Sequence, residues 1–233
     1  MRRSIPLLFV LALVFLVVTP AEGGSSSATG CGLQTFAYAG LEADRIAHGV
    51  SATLDTTIPP AVTDGHVGGW VGVGGVDAGP GGAAEWLQAG LAAFTADDTS
   101  QMYYEVTTPG ATPKYVQLAT DIGPGQSHRF SVLEMNKHDD YWRVWVDGQP
   151  VSPPIHLPGS HGTWYPQAVA ENWNGGTGAC NTYSYRFSDV ALAQTNGGVW
   201  RPLQSSYTFQ DPGYHVLPIS EKPRTFLAAS LAA

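Results

Sequence analysis

The chain has 233 residues, of which 43% are hydrophobic and only 13% charged, with 28 glycines, 17 prolines and a formal net charge of −8. An acidic chain without a basic run is repelled by nucleic acid and by anionic membranes, which sets both aside as partners. Abundant glycine and proline with few charges suits a turn-rich β protein better than a helical one.

In chain order, Arg2 and Arg3 precede an apolar run of 14 residues, Ile5 to Val18, and Thr19-Pro20-Ala21 offers a small-residue cleavage site. This is the pattern of an export signal over residues 1–21, predicting a secreted, extracellular protein with no membrane attachment once the signal is cut. The run is shorter than the roughly 20 apolar residues a membrane span needs, and an uncleaved anchor is the alternative. Residues 22–30, rich in Gly and Ser, read as a flexible tether. Residues 31–194 read as one domain of a size to build its own core, and residues 195–233 as a polar C-terminal extension. Two cysteines, Cys31 and Cys180, are an even pair in an exported chain and predict one disulfide.

Strand signals dominate the domain. Ile46 to Leu54 runs into Pro59-Pro60, and Gly69 to Val73 ends in the Gly/Pro-rich loop Gly74 to Gly82, read as a flap. Trp86 to Phe94, Gln101 to Thr107 and Lys114 to Ala119 follow, Ala83 to Ala93 being the one stretch whose alanines would also tolerate a helix. His128 to Met135 comes next. Tyr141 to Val146 alternates with period two and meets Asp147-Gly148, a two-residue hairpin signal. Strands resume at Gln167 to Trp173 and Thr182 to Leu192. In the extension, Ser206 to Phe209 reads as an edge strand or as a segment lying loosely on the surface. Many short strands at this spacing predict an all-β protein, an antiparallel sandwich or barrel.

Two polar residues stand out because their strands are otherwise apolar: Gln88 in Glu85-Trp86-Leu87-Gln88-Ala89-Gly90, and Glu171 in Gln167-Ala168-Val169-Ala170-Glu171-Asn172-Trp173. In such surroundings an amide or carboxyl must find a partner. Facing one cleft, the carboxyl can activate water while the amide holds the developing oxyanion.

The residues around these two resemble the glutamic peptidases, the eqolisin family. Tyr38-Ala39-Gly40-Leu41 is similar to that family's Trp-Ala-Gly strand, and Gly69-Trp70-Val71-Gly72-Val73 to its Trp-Val-Gly-Ile-Asp-Gly strand. Leu87-Gln88-Ala89-Gly90 is similar to the Leu-Gln-Thr-Gly carrying the catalytic glutamine. Tyr103-Tyr104-Glu105 resembles its Trp-Tyr-Glu-Trp, Ile122 to Gln126 its Ile-Ser-x-Gly-Asp turn, and Ala170-Glu171-Asn172 the segment carrying the catalytic glutamate. The resemblance runs from Phe36 to about Ala193. It implies a sandwich of two large antiparallel sheets and a monomer that cuts polypeptide substrates at acid pH, with no metal and no cofactor. It also implies Gln88 and Glu171 as catalytic residues, and Tyr38, Trp70, Tyr104, Glu105 and Trp173 as substrate-binding residues. Two departures stand out: the family's aspartate is Gly74 here, and the last Trp of Trp-Tyr-Glu-Trp is Val106, which removes stacking area expected in the cleft.

His48, His66, His128, His138, His156 and His161 show no metal-ligand spacing; His156 and His161, five apart in one loop, are a weak zinc pair without a third ligand. The alternative function is a non-catalytic sandwich that binds carbohydrate or cell-wall polymer, with Trp142, Trp145, Trp164 and Trp173 stacking on sugar rings.

Overall fold

The computed structural model describes residues 34–175, 180–220 and 224–230. The signal, the tether and Cys31 lie outside the described residues. In chain order the strands are β1 (Phe36–Ala43), β2 (Gly49–Thr56), β3 (Ala61–Val62), β4 (His66–Gly75), β5 (Glu85–Phe94), β6 (Ser100–Thr107), β7 (Lys114–Ile122), β8 (His128–Glu134) and β9 (Tyr141–Val146). They continue as β10 (Gln149–Pro150), β11 (Ile155–His156), β12 (Gln167–Trp173), β13 (Asn181–Ala193), β14 (Trp200–Pro202), β15 (Ser206–Gln210), β16 (Tyr214–Pro218) and β17 (Phe226–Ser230). Apart from one 3-10 turn, Pro80–Gly82, all regular structure among the described residues is strand. No helix among them is long and apolar enough to cross a membrane. The stretch Ala83 to Ala93 is strand from Glu85 onward, because β5 is paired on both sides, by β4 and by β6.

Two antiparallel sheets form a sandwich. One has seven strands in the order β15-β1-β12-β4-β5-β6-β7; the other has ten, with the path β10-β9-β8-β2-β13-β17-β16 and β3, β11 and β14 on its flanks. The inner faces meet in one core. Strand β9 shows how the pattern makes it: Trp142, Val144 and Val146 alternate inward, and Tyr141, Arg143 and Trp145 outward. Asp147 and Gly148 both take positive φ (50° and 78°), the backbone that a two-residue hairpin turn demands. Gly69 faces the core, where a Cβ would lie 2.6 Å from the Tyr185 ring of the opposite sheet, so the two sheets close here only over glycine.

Three expectations are corrected. The boundary at 194 does not separate the extension from the sandwich: β17 lies between β13 and β16 inside the larger sheet, while β15 is the edge strand that was one of the two readings of Ser206 to Phe209, beside β1. Phe226 of β17 is buried and stacks on Phe187 at 4.7 Å, so this segment is core that five short, proline-flanked residues did not announce. Trp142 and Trp164 cannot stack on sugars from outside, since both are buried and pack on each other at 5.9 Å. Val106 pairs with Leu87 and packs against the core, so its replacement of a tryptophan leaves the outer face of its sheet untouched.

Candidate active site

On the outer face of the seven-stranded sheet the strand registers place the side chains in rows. Because side chains alternate, residues paired across neighbouring strands share a face. One row runs Tyr38, Glu171, Gly68, Ala92; the next runs Gly40, Val169, Trp70, Gly90, Tyr103; the third runs Gln167, Gly72, Gln88, Glu105, Tyr115. Gln88 and Glu171 therefore point from the same face, two rows apart, with Trp70, Val169 and Tyr103 in the row between. Gly68, Gly72 and Gly90 carry no side chain between these residues, and a cavity of about 490 Å³ opens over the face. Its walls include Phe36, Tyr38, His66, Trp70, Glu105 and Phe209, and both Gln88 and Glu171 open onto it.

The two polar residues are nearly closed off from bulk solvent, Gln88 at 8% and Glu171 at 7% exposure. Gln88 Nε2 donates to the Tyr103 hydroxyl at 3.2 Å, which fixes the direction of the amide. A Cβ at Gly68 would stand 3.4 Å from that same hydroxyl and 3.4 Å from Glu171 Oε1. The carboxylate and the anchor of the amide thus flank a single glycine-sized gap, no further apart than twice that distance. His66 Nε2 lies 3.6 Å from Glu171 Oε1, and pairs with it when the ring is protonated.

Electrostatics follow from the apolar walls. Burial pushes the Tyr103 phenol well above its ordinary range, with the nearby Glu171 and Glu105 charges adding to it, so Tyr103 is a neutral hydrogen-bonding group at any working pH. Tyr38 is raised for the same first reason, burial, and then by Glu171. Burial also raises Glu105; the hydrogen bond that Trp86 Nε1 donates to it at 3.1 Å pulls the other way, Glu171 raises it further and His66 lowers it.

Of the residues expected from sequence, Gln88, Glu171, Tyr38, Trp70 and Glu105 meet in this cavity. Trp173 shares the face but packs on Phe36 at 4.5 Å, beside the cavity rather than in its wall. Tyr104 is corrected: it pairs with Ala89 and joins the core between the sheets, because its neighbours Tyr103 and Glu105 take the outward positions of β6. Tyr103 and His66 were missed. Period two was the available signal, since Tyr103 lies two residues before Glu105 and His66 four before Trp70. Gly74 has φ +87°, and a Cβ there would sit 2.2 Å from the Glu85 carbonyl oxygen, so this backbone has no room for the aspartate of the resembled family.

The histidines also depart from expectation. His156 stacks on Tyr141 at 4.7 Å and is not paired with His161 as a ligand set. His48 and His161 instead converge on Glu134, far from one another in sequence and so invisible to spacing.

No protein-family model matches this sequence, and no curated protein matches it in sequence. Solved structures do. Scytalido-glutamic peptidase, solved with a peptide-based transition-state analogue, superposes with a TM-score of 0.57 at 18% identity, over 85% of this chain and 99% of that one. SCP-B, a member of the eqolisin family solved with the tripeptide Ala-Ile-His, gives a TM-score of 0.53 at 16% identity, over 84% of this chain and 98% of that one. An alginate lyase from Pseudomonas aeruginosa gives 0.46 at 15% identity over 65% of this chain and 66% of that one. The fold is that of a glutamic-peptidase-like β-sandwich, a distant structural relationship.

Proposed function

We propose that the chain is an exported glutamic-type endopeptidase acting on polypeptides at acid pH. The observation that carries this reading is that Gln88 and Glu171 open onto one cleft, Glu171 beside the Gly68 gap and Gln88 held to the Tyr103 hydroxyl on the gap's other side. A water seated in that gap is within reach of the Glu171 carboxylate, which takes its proton as the oxygen attacks the scissile carbonyl. The second N–H of the Gln88 amide, left free by the bond to Tyr103, donates to the oxyanion of the tetrahedral intermediate; an amide does this at any pH because it never titrates. Glu171 then returns the proton to the departing amine, and the peptide C–N bond breaks. Trp70, Tyr38 and Phe36 supply apolar walls against which an extended peptide lies. The reaction needs no group beyond the chain and water. The reading includes residues 1–21 as a cleaved export signal and a Cys31–Cys180 disulfide tying the start of the domain to β13. Supporting it is the peptide-based ligand reported for the first structural neighbour.

The test is hydrolysis of an unfolded protein between about pH 2 and 5, alongside a panel of polysaccharides offered for binding and depolymerisation. Peptide fragments establish the reading. Polysaccharide retention without peptide fragments replaces it with the carbohydrate-binding alternative.

A sharper prediction concerns the gap itself. Gly68→Ala places a methyl at ordinary contact distance from Glu171 and Tyr103, in a strand position with no positive φ. Stability should therefore stay within about 0.5 kcal/mol of the parent. Turnover is expected to fall by about a hundredfold or more, because the methyl occupies the place of the attacking water. Equal loss of melting temperature and activity would mean a packing defect instead.

A further inference from the structure

We infer that His48, Glu134 and His161 form a binding site for one zinc-class divalent cation, on the sheet that does not carry the cleft. Glu134 ends β8, His48 immediately precedes β2, and His161 belongs to the loop between β11 and β12. The Glu134 carboxyl is fully buried. His48 Nδ1 lies 2.6 Å from its Oε2 and His161 Nδ1 lies 2.8 Å from its Oε1. The ligand atoms of the three residues all fall within 4.8 Å of one another. Two imidazoles and one carboxylate are a ligand set that zinc takes, with an open fourth position.

The surroundings are those of an organised site. The backbone N–H of Asp140 donates to Glu134 Oε1 at 3.0 Å, holding the carboxylate from behind. Asp140 is itself fixed, its Oδ1 accepting from the His161 backbone N–H at 2.7 Å and from the Ser160 hydroxyl at 3.3 Å. The Asp139 Oδ1 lies 3.6 Å from His161 Nδ1 on the solvent side and adds negative charge beside the site. Ligand atoms around a tetrahedral ion at about 2.1 Å stand about 3.4 Å apart, so each imidazole has to retreat from the carboxylate by roughly 0.6 to 0.8 Å. The rings are free to do so: their side chains are 22% and 41% exposed, and only the carboxylate is locked in the interior. The ion takes the place of the protons shared between each Nδ1 and the carboxylate, and those protons pass to buffer.

Such an ion would clip the 157–165 loop to the ends of β2 and β8 within the larger sheet. The same loop carries Trp164, whose Nε1 donates to the Ala78 carbonyl at 3.1 Å in the loop that borders the cleft. The cation would thus brace the cleft-side loop at a distance, without touching the proposed catalytic pair.

The experiment uses the mature chain, treated with chelator and titrated with zinc chloride by calorimetry at neutral pH, and with Co²⁺ followed by visible absorption. Because Glu134 is buried, the variant is His161→Ala, on the exposed side. One equivalent of bound zinc, a rise in melting temperature of about 5 °C at saturation and the visible bands of tetrahedral Co²⁺, all lost in His161→Ala, are expected. No saturable heat, or binding and a melting shift retained in full by His161→Ala, would overturn the site.

Discussion

Glu171→Gln is expected to cut peptide turnover by about 10²- to 10⁴-fold, the range lost when a positioned acid–base group is removed. The amide is nearly the shape of the carboxyl but cannot accept a proton from water, so the fold is retained while the first step fails. Gln88→Ala removes the donor aimed at the oxyanion and should cost about 10²- to 10³-fold in kcat. It also leaves the buried Tyr103 hydroxyl without the amide that now donates to it, adding about 1 kcal/mol of instability. The two residues act on one water and one intermediate, so the double variant should be little worse than Glu171→Gln alone. Steady-state kinetics on a single peptide, with melting temperatures measured in parallel, checks this. Full activity in Glu171→Gln would remove the carboxyl from the mechanism, and additive losses would place the two residues in separate roles.

The second large effect lies away from the cleft. Glu85 opens β5 pointing inward, is fully buried, and neither carboxyl oxygen has a hydrogen-bond partner among the described residues. Burial, with a smaller contribution from Asp140, pushes its pKa from 4.5 up to about 7. A carboxyl raised in the folded state is protonated there while the unfolded chain has already released its proton. Its favourable contribution to stability is therefore complete below the ordinary carboxylate range and disappears as pH rises through about 7. Above that pH the fold carries an unpaired buried charge. Glu85→Gln should leave stability unchanged near pH 4 and raise it near pH 8 by about 2 kcal/mol, or roughly 4–8 °C in melting temperature for a domain of this size. This one contribution, which favours the fold in acid, agrees with the working range proposed for the cleft. Denaturant midpoints across the pH range decide it: parallel curves for the two proteins would show that Glu85 does not titrate during unfolding.

The reach of sequence reasoning differs from element to element. Strand β9 and its Asp147-Gly148 turn were legible because period two and the hairpin signal are local. Strand β12 and the strands around Gln88 were legible because polar residues in apolar runs stand out without knowledge of their neighbours. Strand β17 was not, since Phe226–Ser230 is a short apolar run without alternation or a turn signal of its own, and only tertiary pairing puts it between β13 and β16. Tyr104 was assigned to the cleft although alternation puts it on the inner face once Gln88 and Glu105 are known to share a row. His48, Glu134 and His161 are brought together by a pairing of β2 with β8 and by a loop between β11 and β12, and no spacing along the chain encodes that meeting.

Composition and local pattern were enough to determine an all-β protein, most of its strands, and the two residues on which the proposed chemistry rests, because alternation and turn chemistry act over a few residues at a time; the choice of sandwich over barrel came from the family resemblance. Strand order and register decided the rest: the gap at Gly68, the Tyr103 and His66 contacts, the inward turn of Tyr104 and the clustered histidines. These depend on which strands become neighbours, and that is settled by burying side chains from distant parts of the chain in one core.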